Sequence, residues 1–362
     1  MLDALVAGAG PAGSTAALLL ARAGKSVRIF ERSAFPRTKA CGEYLSAAAV
    51  RQLYALGVGE QLAGRARLVR GVRLHGYGVH VRIDFPQPGW SLPRSVLDET
   101  LLHAAVSEGA QVTQARVEGC TDGDRSVHMA LRLPDGTAAE VQGRVILGAD
   151  GMHSIVARKC GMAARTRGSA RFALGGHYRG LSALDEYIDM FVDAATYVAV
   201  NPLGDDTANV MLVVSEADLQ QHRDDVDAFA QERVRSLAGA LLAEAQLESK
   251  RIAIGPLSYR ACSLAGNRVA LAGDAACFVD PFTGQGVYLA LRCGQLAAES
   301  ILSGSLRAYE RRARREIAAR ERAARSVARL IRSPLLARGA AALMERVPSI
   351  AGPLVRAVTG AA

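Results

Sequence analysis

Several apolar runs in this chain are too short for helices, and they run straight into glycine. Leu2–Ala7 ends at Gly8, the run through Val145-Ile146-Leu147 ends at Gly148, and Val269–Ala272 ends at Gly273. Runs of this length predict strands buried in a parallel sheet. Between them the period changes. Ser14–Ala23, rich in alanine and leucine and stopped by Gly24, predicts a helix, and Ser26–Phe30 predicts the next strand. Leu97, Leu101, Leu102 and Ala105 recur at helical spacing, and Gly286–Ile301 and Asp218–Ala245 predict further helices. Val79–Phe85 alternates as a strand before Pro86 and Pro88. Residues 171–179, 187–200 and 208–214 are β-rich, with a hairpin turn at Leu203-Gly204-Asp205-Asp206.

The glycines after the first strand have chemistry. Gly8-Ala9-Gly10-Pro11-Ala12-Gly13 lies between a strand and a helix. Gly8 permits the tight turn, Gly10 lets backbone approach a pyrophosphate, and Gly13 allows close packing of helix on strand. The N–H groups and positive dipole end of the helix then face phosphate. Glu31, at the end of the second strand and followed by Arg32, is placed to accept hydrogen bonds from ribose hydroxyls. The segment implies a dinucleotide without distinguishing NAD from FAD.

Two further motifs follow in order: Gly148-Ala149-Asp150-Gly151, and Gly273-Asp274 with Pro281 and Gly284-Gln285-Gly286. With these three motifs the chain resembles the FAD-dependent superfamily of p-hydroxybenzoate-hydroxylase-type monooxygenases and geranylgeranyl reductases, over about residues 1–305. The resemblance implies FAD, with Glu31 on the adenosine ribose, Asp274 on the ribityl chain, and the turn from Pro281 through Gly284 and Gln285 to Gly286 against the isoalloxazine. Arg94 matches a family arginine near the flavin, and Arg37 is a match of the same kind. Cys41 and Gly42 lie in Pro36–Glu43, which resembles a K-x-C-G stretch of the reductases, while Cys41-Gly42-Glu43-Tyr44-Leu45-Ser46 also resembles the C-G-E-x-L-S of bacterial hydroxylase-like members. The chain departs from the hydroxylase pattern at Cys277, where a histidine is usual, and at Tyr288, where an asparagine is usual.

The expected fold is α/β (α+β). A Rossmann-like FAD-binding domain is formed by residues 1–70, 95–170 and 262–304. A mainly antiparallel substrate sheet, residues 71–94 and 171–261, covers the flavin, and 305–362 form a helical tail. Trp90, Tyr197, Pro281 and Phe282 are expected in the substrate pocket, and Cys41 and His177 are the catalytic candidates.

Composition narrows the function. At 362 residues and 50% hydrophobic, the chain can bury a large core. No run reaches the roughly 18–20 apolar residues that cross a bilayer, and Met1-Leu2-Asp3 enters the first strand without a signal peptide, so a cytoplasmic protein is expected. Six scattered cysteines, without C-x-x-C, argue against a disulfide framework and a metal site. The net charge of +9 concentrates in 307–338, where eleven arginines face three glutamates. Apolar residues recur there at helical spacing. An amphipathic helix of this kind suits either a solvated face or contact with an anionic membrane or an acidic protein. Nucleic acid is not expected, because aromatic residues are few.

Gln285 in G-Q-G favours the hydroxylase branch, and Ala199 and Asn201 stand where the reductase Y-x-W-x-F-P pattern has tryptophan and phenylalanine. The expected activity is therefore an FAD monooxygenase that uses NAD(P)H and O2 through a C4a-hydroperoxyflavin; the resemblance, with the mostly apolar predicted sheet, implies an apolar aromatic or polyketide-like substrate. A geranylgeranyl-reductase-like enzyme saturating isoprenoid double bonds is the alternative. A flavin-binding protein without turnover is the third.

Overall fold

The computed structural model describes residues 1–346 except 164–169, 183, 195, 258, 279 and 280, together with residue 355; for 331, 332, 341 and 344–346 it describes backbone only. The rest of the expected tail lies outside the described residues.

Two large sheets organise them. The first has seven strands. Gln111–Gln114, Val27–Glu31, Leu2–Ala7 and Ala138–Gly148 run parallel, and Val269–Leu271 also pairs parallel with the last. Leu5, Val6, Ile29, Ile146 and Leu147 are fully buried, because helices cover these strands. The helices Pro11–Arg22 and Gly286–Leu302 meet so closely that a Cβ on Gly294 would stand 2.3 Å from the carbonyl oxygen of Ala12. The antiparallel strands Arg116–Asp122 and Val127–Arg132 complete this sheet.

The second sheet has nine strands and is mainly antiparallel. It includes Arg67–Gly76, Val79–Ser91, Arg171–Arg179, Tyr187–Asp193, Thr196–Pro202 and Thr207–Ser215. Its first strand crosses the domain boundary expected at 70/71, and the two-residue strand Tyr44–Leu45 also pairs into it. The strand expected to end at Phe85 continues through Pro86 and Pro88. Proline is tolerated there because pairing with Tyr44–Leu45 begins only at Trp90 and a register shift lies opposite.

The helix expected over 218–245 is two helices, Glu216–Gln221 and Val226–Ala238. Asp225 causes the break: its side chain accepts from the Ala228 N–H and caps the second helix.

The arginine-rich segment forms the helix Leu306–Arg332, followed by Pro334–Arg346. Tyr309, Ala313, Ile317 and Ala324 are its buried stripe. The Tyr309 hydroxyl donates to the Leu271 carbonyl, tying this helix to the parallel sheet. Among the described residues, no helix is long and apolar enough to cross a membrane.

Candidate active site

A cavity of about 1200 Å³ runs from the glycine turn of the first sheet to the inner face of the second. Its wall includes Gly8, Gly10, Pro11, Ala12, Glu31, Arg32, Arg37, Cys41 and Gly42, then Arg94, Asp150, Gly151, Gly273, Asp274, Pro281, Gly284 and Gly286. Most of the residues singled out for the cofactor therefore surround one space. Gly13 and Gln285 do not line it. A Cβ on Gly13 would stand 2.0 Å from the Gly8 carbonyl oxygen, so that glycine serves helix-on-turn packing. Gln285 is buried at the start of Gly286–Leu302, and its amide donates to the Thr283 carbonyl.

Gly8 adopts φ +96°, which favours glycine. No side chain caps the helix Pro11–Arg22, so its first N–H groups remain available to an anion.

Glu31 marks the end of the second strand. Its carboxylate accepts from the Ala9 N–H at 2.9 Å and the Ser33 N–H at 3.0 Å, and pairs with Arg37 at 2.8 Å. Burial pushes its pKa up, but Arg37 and the two backbone donors outweigh this and hold it below the usual range. Arg37 also reaches Asp98 at 3.2 Å, and Arg94 grips both oxygens of Asp98 at 2.8 Å. Asp98 is fully buried. Sequence reasoning missed it, although its i,i+4 spacing from Arg94 on the helix Arg94–Ser107 was a usable signal.

Asp150 faces the cavity, yet its carboxylate serves the helix Ile155–Lys159. It accepts from the Ser154 hydroxyl at 2.6 Å and the Ile155 N–H at 2.7 Å. Asp274 differs. Burial raises its pKa against the opposing charges of Arg94 and Lys39, and no hydrogen bond from a described residue reaches it. Lys39 was also missed as a site residue. It lines the cavity with its pKa lowered, first by burial and then by Arg37 and Arg94.

These features fit FAD. The buried Nε of Arg37 has no hydrogen-bond partner among the described residues, and Asp274 offers free acceptors. The bare Gly10 backbone and the helix N-terminus beside them suit a pyrophosphate.

Cys41 lies on the cavity wall. Burial pushes its thiol up despite the Arg94 guanidinium, so the proton stays on sulfur. His177 does not line the cavity. Its ring meets Glu43 at 2.7 Å, and the Asn209 amide donates to the same Glu43 oxygen at 3.0 Å. Asn209 and Asn201 also donate to the Cys41 and Gly42 carbonyls, at 3.0 and 2.8 Å. His177 thus supports the Cys41–Glu43 loop from behind, and its position differs from that expected of a catalytic group.

Tyr197, Pro281 and Phe282 line the cavity, with the Tyr197 and Phe282 rings edge to face at 5.1 Å. Trp90 does not. It is buried against Tyr54, 5.7 Å between rings, because it lies on the stretch of strand packed over the helix Ala47–Ala55. The two departures from the hydroxylase motif both meet the long C-terminal helix. The Cys277 thiol donates to Glu321 at 3.3 Å, and Tyr288 contacts Glu316 and stacks under Arg320.

A nucleotide turn, a buried acid after the second strand and a second sheet over the cavity define a dinucleotide-binding protein with a covered cofactor cleft. A family model described as FAD binding domain matches residues 1–324, and the chain belongs to that family. It is an FAD-dependent oxidoreductase. The chain is 31% identical to menaquinone reductase of Mycobacterium tuberculosis (strain ATCC 25618 / H37Rv), over 84% of this chain and 77% of the relative. It is 28% identical to digeranylgeranylglycerophospholipid reductase 1 of Methanothermobacter thermautotrophicus, over 87% and 83%. The flavin-dependent brominase Bmp2 shares the fold at a TM-score of 0.88 and 22% identity, covering 99% of this chain and 93% of that one.

Proposed function

We propose that this flavoenzyme reduces carbon–carbon double bonds of a long apolar molecule of isoprenoid type, such as a prenylated quinone or lipid. The observation that carries this reading is the wall of the cavity beyond the flavin site. Val72, Leu74, Ile83, Phe85, Ile188, Met190, Met211 and Val213 line it, with Val327 and Leu330 of the C-terminal helix. A hydrocarbon surface of this kind favours an apolar chain and offers little to activate a phenol. The names of the two reductase relatives support the same substrate class.

When bound, FAD supplies the two-electron redox chemistry. Glu31, Arg37, Asp274 and the glycine turn would hold it, and Arg94 would orient its ring end. Cys41 holds a proton on Sγ at the cavity wall and is the group we assign to deliver it as the double bond is saturated. The proposed reductant is NAD(P)H. An isoprenoid lipid must be collected from a membrane, and the exposed Arg311, Arg315, Arg322 and Arg329 present a cationic face for peripheral contact with anionic lipid.

Gln285 keeps the monooxygenase as the second reading. The experiment separating the two begins with protein reduced by NADPH without oxygen. Mixing with a prenylated quinone should reoxidise the flavin and yield a product that keeps its quinone ring and carries two more hydrogens in its prenyl chain. Indifference to prenyl compounds, with fast reoxidation by O2 and an oxygenated aromatic product, would transfer the assignment to the monooxygenase.

A further inference from the structure

Cys120 and Cys160 are 40 residues apart in sequence, yet their sulfurs lie 3.2 Å from one another. That is about 1.2 Å beyond the length of a disulfide bond. Neither belongs to the flavin or substrate chemistry described above. Cys120 is buried on the strand Arg116–Asp122, and Cys160 is half-buried at the end of the helix Ile155–Lys159, where solvent reaches it. We propose that these two thiols are a modification site: hydrogen peroxide oxidises them to a disulfide that fixes one wall of the cofactor cavity.

The order of events follows from the contact. Either thiol can donate to the other across this contact, but Cys160 is the one that solvent reaches, so peroxide meets it first and Cys160 is the nucleophile. Its thiolate attacks one peroxide oxygen and the O–O bond breaks. Cys160 becomes a sulfenic acid, and the departing hydroxide takes a proton to leave as water. The Cys120 sulfur then attacks the Cys160 sulfur; the S–S bond forms, the S–O bond breaks, and a second water leaves. Two thiols lose two electrons and two hydrogens, and one peroxide becomes two waters.

The bond would matter because of what it joins. Val117 and Glu118 of the strand and Ile155 and Arg158 of the helix all line the cavity. Crosslinking the two elements would restrain this part of the wall against movement as cofactor enters or leaves.

The test treats the full chain, loaded with FAD, with peroxide and then removes the excess. Free thiols should fall from six to four, with a Cys120–Cys160 peptide in non-reducing mass mapping that dithiothreitol reverses. Flavin should dissociate more slowly from the oxidised protein than from the reduced one, and Cys160→Ser should abolish both changes. Cys160→Ser changes a half-buried position, and Cys120→Ala serves as a second variant should it fold poorly. A Cys160–Cys262 linkage, sulfinic acid on Cys160 without a crosslink, or six thiols remaining would overturn the site. Equal flavin release before and after crosslinking would overturn its effect on the cavity.

Discussion

Nε2 of His177 lies 2.7 Å from Oε2 of Glu43, and this contact joins positions 134 residues apart. Glu43 sits at φ +56°, where a side chain is disfavoured, and its other oxygen accepts from the Arg94 N–H at 2.8 Å. The loop carrying Cys41 is thus held against the second sheet by one carboxylate with partners on both sides.

Stability should follow His177 with a defined sign. Its pKa is raised, first by the hydrogen bond to Glu43. A raised folded-state pKa contributes stability that is fully present below the unfolded value, near 6.5, and lost as pH rises through the folded value. His177→Gln should cost about 1–2 kcal/mol at low pH, and the gap to wild type should narrow as the solution becomes alkaline. Urea unfolding across that range checks this, and a gap independent of pH would sink it.

Removing Asp98 leaves the Arg37 and Arg94 guanidiniums near one another without their shared counter-charge. Asp98→Ala should destabilise by about 3–5 kcal/mol, as broken buried ion pairs do. FAD should also be lost more readily on gel filtration. A variant as stable as wild type would mean that solvent compensates both arginines.

A carboxylate offers about four acceptor positions, and Glu31 uses its oxygens on two backbone N–H groups and Arg37. Glu31→Ala should weaken FAD binding by roughly 10–100-fold, equivalent to about 1.4–2.8 kcal/mol. Fluorescence of released flavin measures it; unchanged affinity would remove Glu31 from the cofactor site.

Gly294 is the contact that fixes one helix against the nucleotide helix. Its added Cβ would stand 2.3 Å from backbone that cannot rotate away, so Gly294→Ala should cost at least about 1–3 kcal/mol. Thermal unfolding together with FAD content provides the readout. Wild-type values for both would show that the helices can separate freely.

Tyr288→Asn restores the residue usual in the hydroxylase motif. It loses the contacts with Glu316 and Arg320, so it should destabilise the C-terminal helix by about 1 kcal/mol while leaving FAD affinity unchanged. Limited proteolysis of the helix and flavin titration separate the two effects. Loss of flavin with an intact helix would place Tyr288 at the cofactor instead.

Much of the cofactor half was legible in the sequence. Apolar runs ending in glycine specify buried strands and tight turns over a few consecutive residues, and Gly8 and Gly10 do this whatever the rest of the chain does. Family motifs located Glu31, Arg37, Arg94 and Asp274, and the fold brought them to one cavity. Local reading failed where a single capping residue decided the outcome, as at Asp225, which splits the helix expected over 218–245. It also failed for Trp90, whose alternating strand could not say which neighbour would cover it.

The sequence by itself determined the parallel strands, the anion-binding turn and the amphipathic stripe through Tyr309, Ala313 and Ile317. Each depends on spacing within a few residues. Only the tertiary structure decided that His177 supports Glu43, that Asp98 unites two arginines, and that Cys120 meets Cys160. The same holds for Cys277 and Tyr288, which meet the C-terminal helix. Such contacts depend on the relative placement of elements distant along the chain, which is set by the packing of whole sheets and helices and leaves no periodicity in either segment.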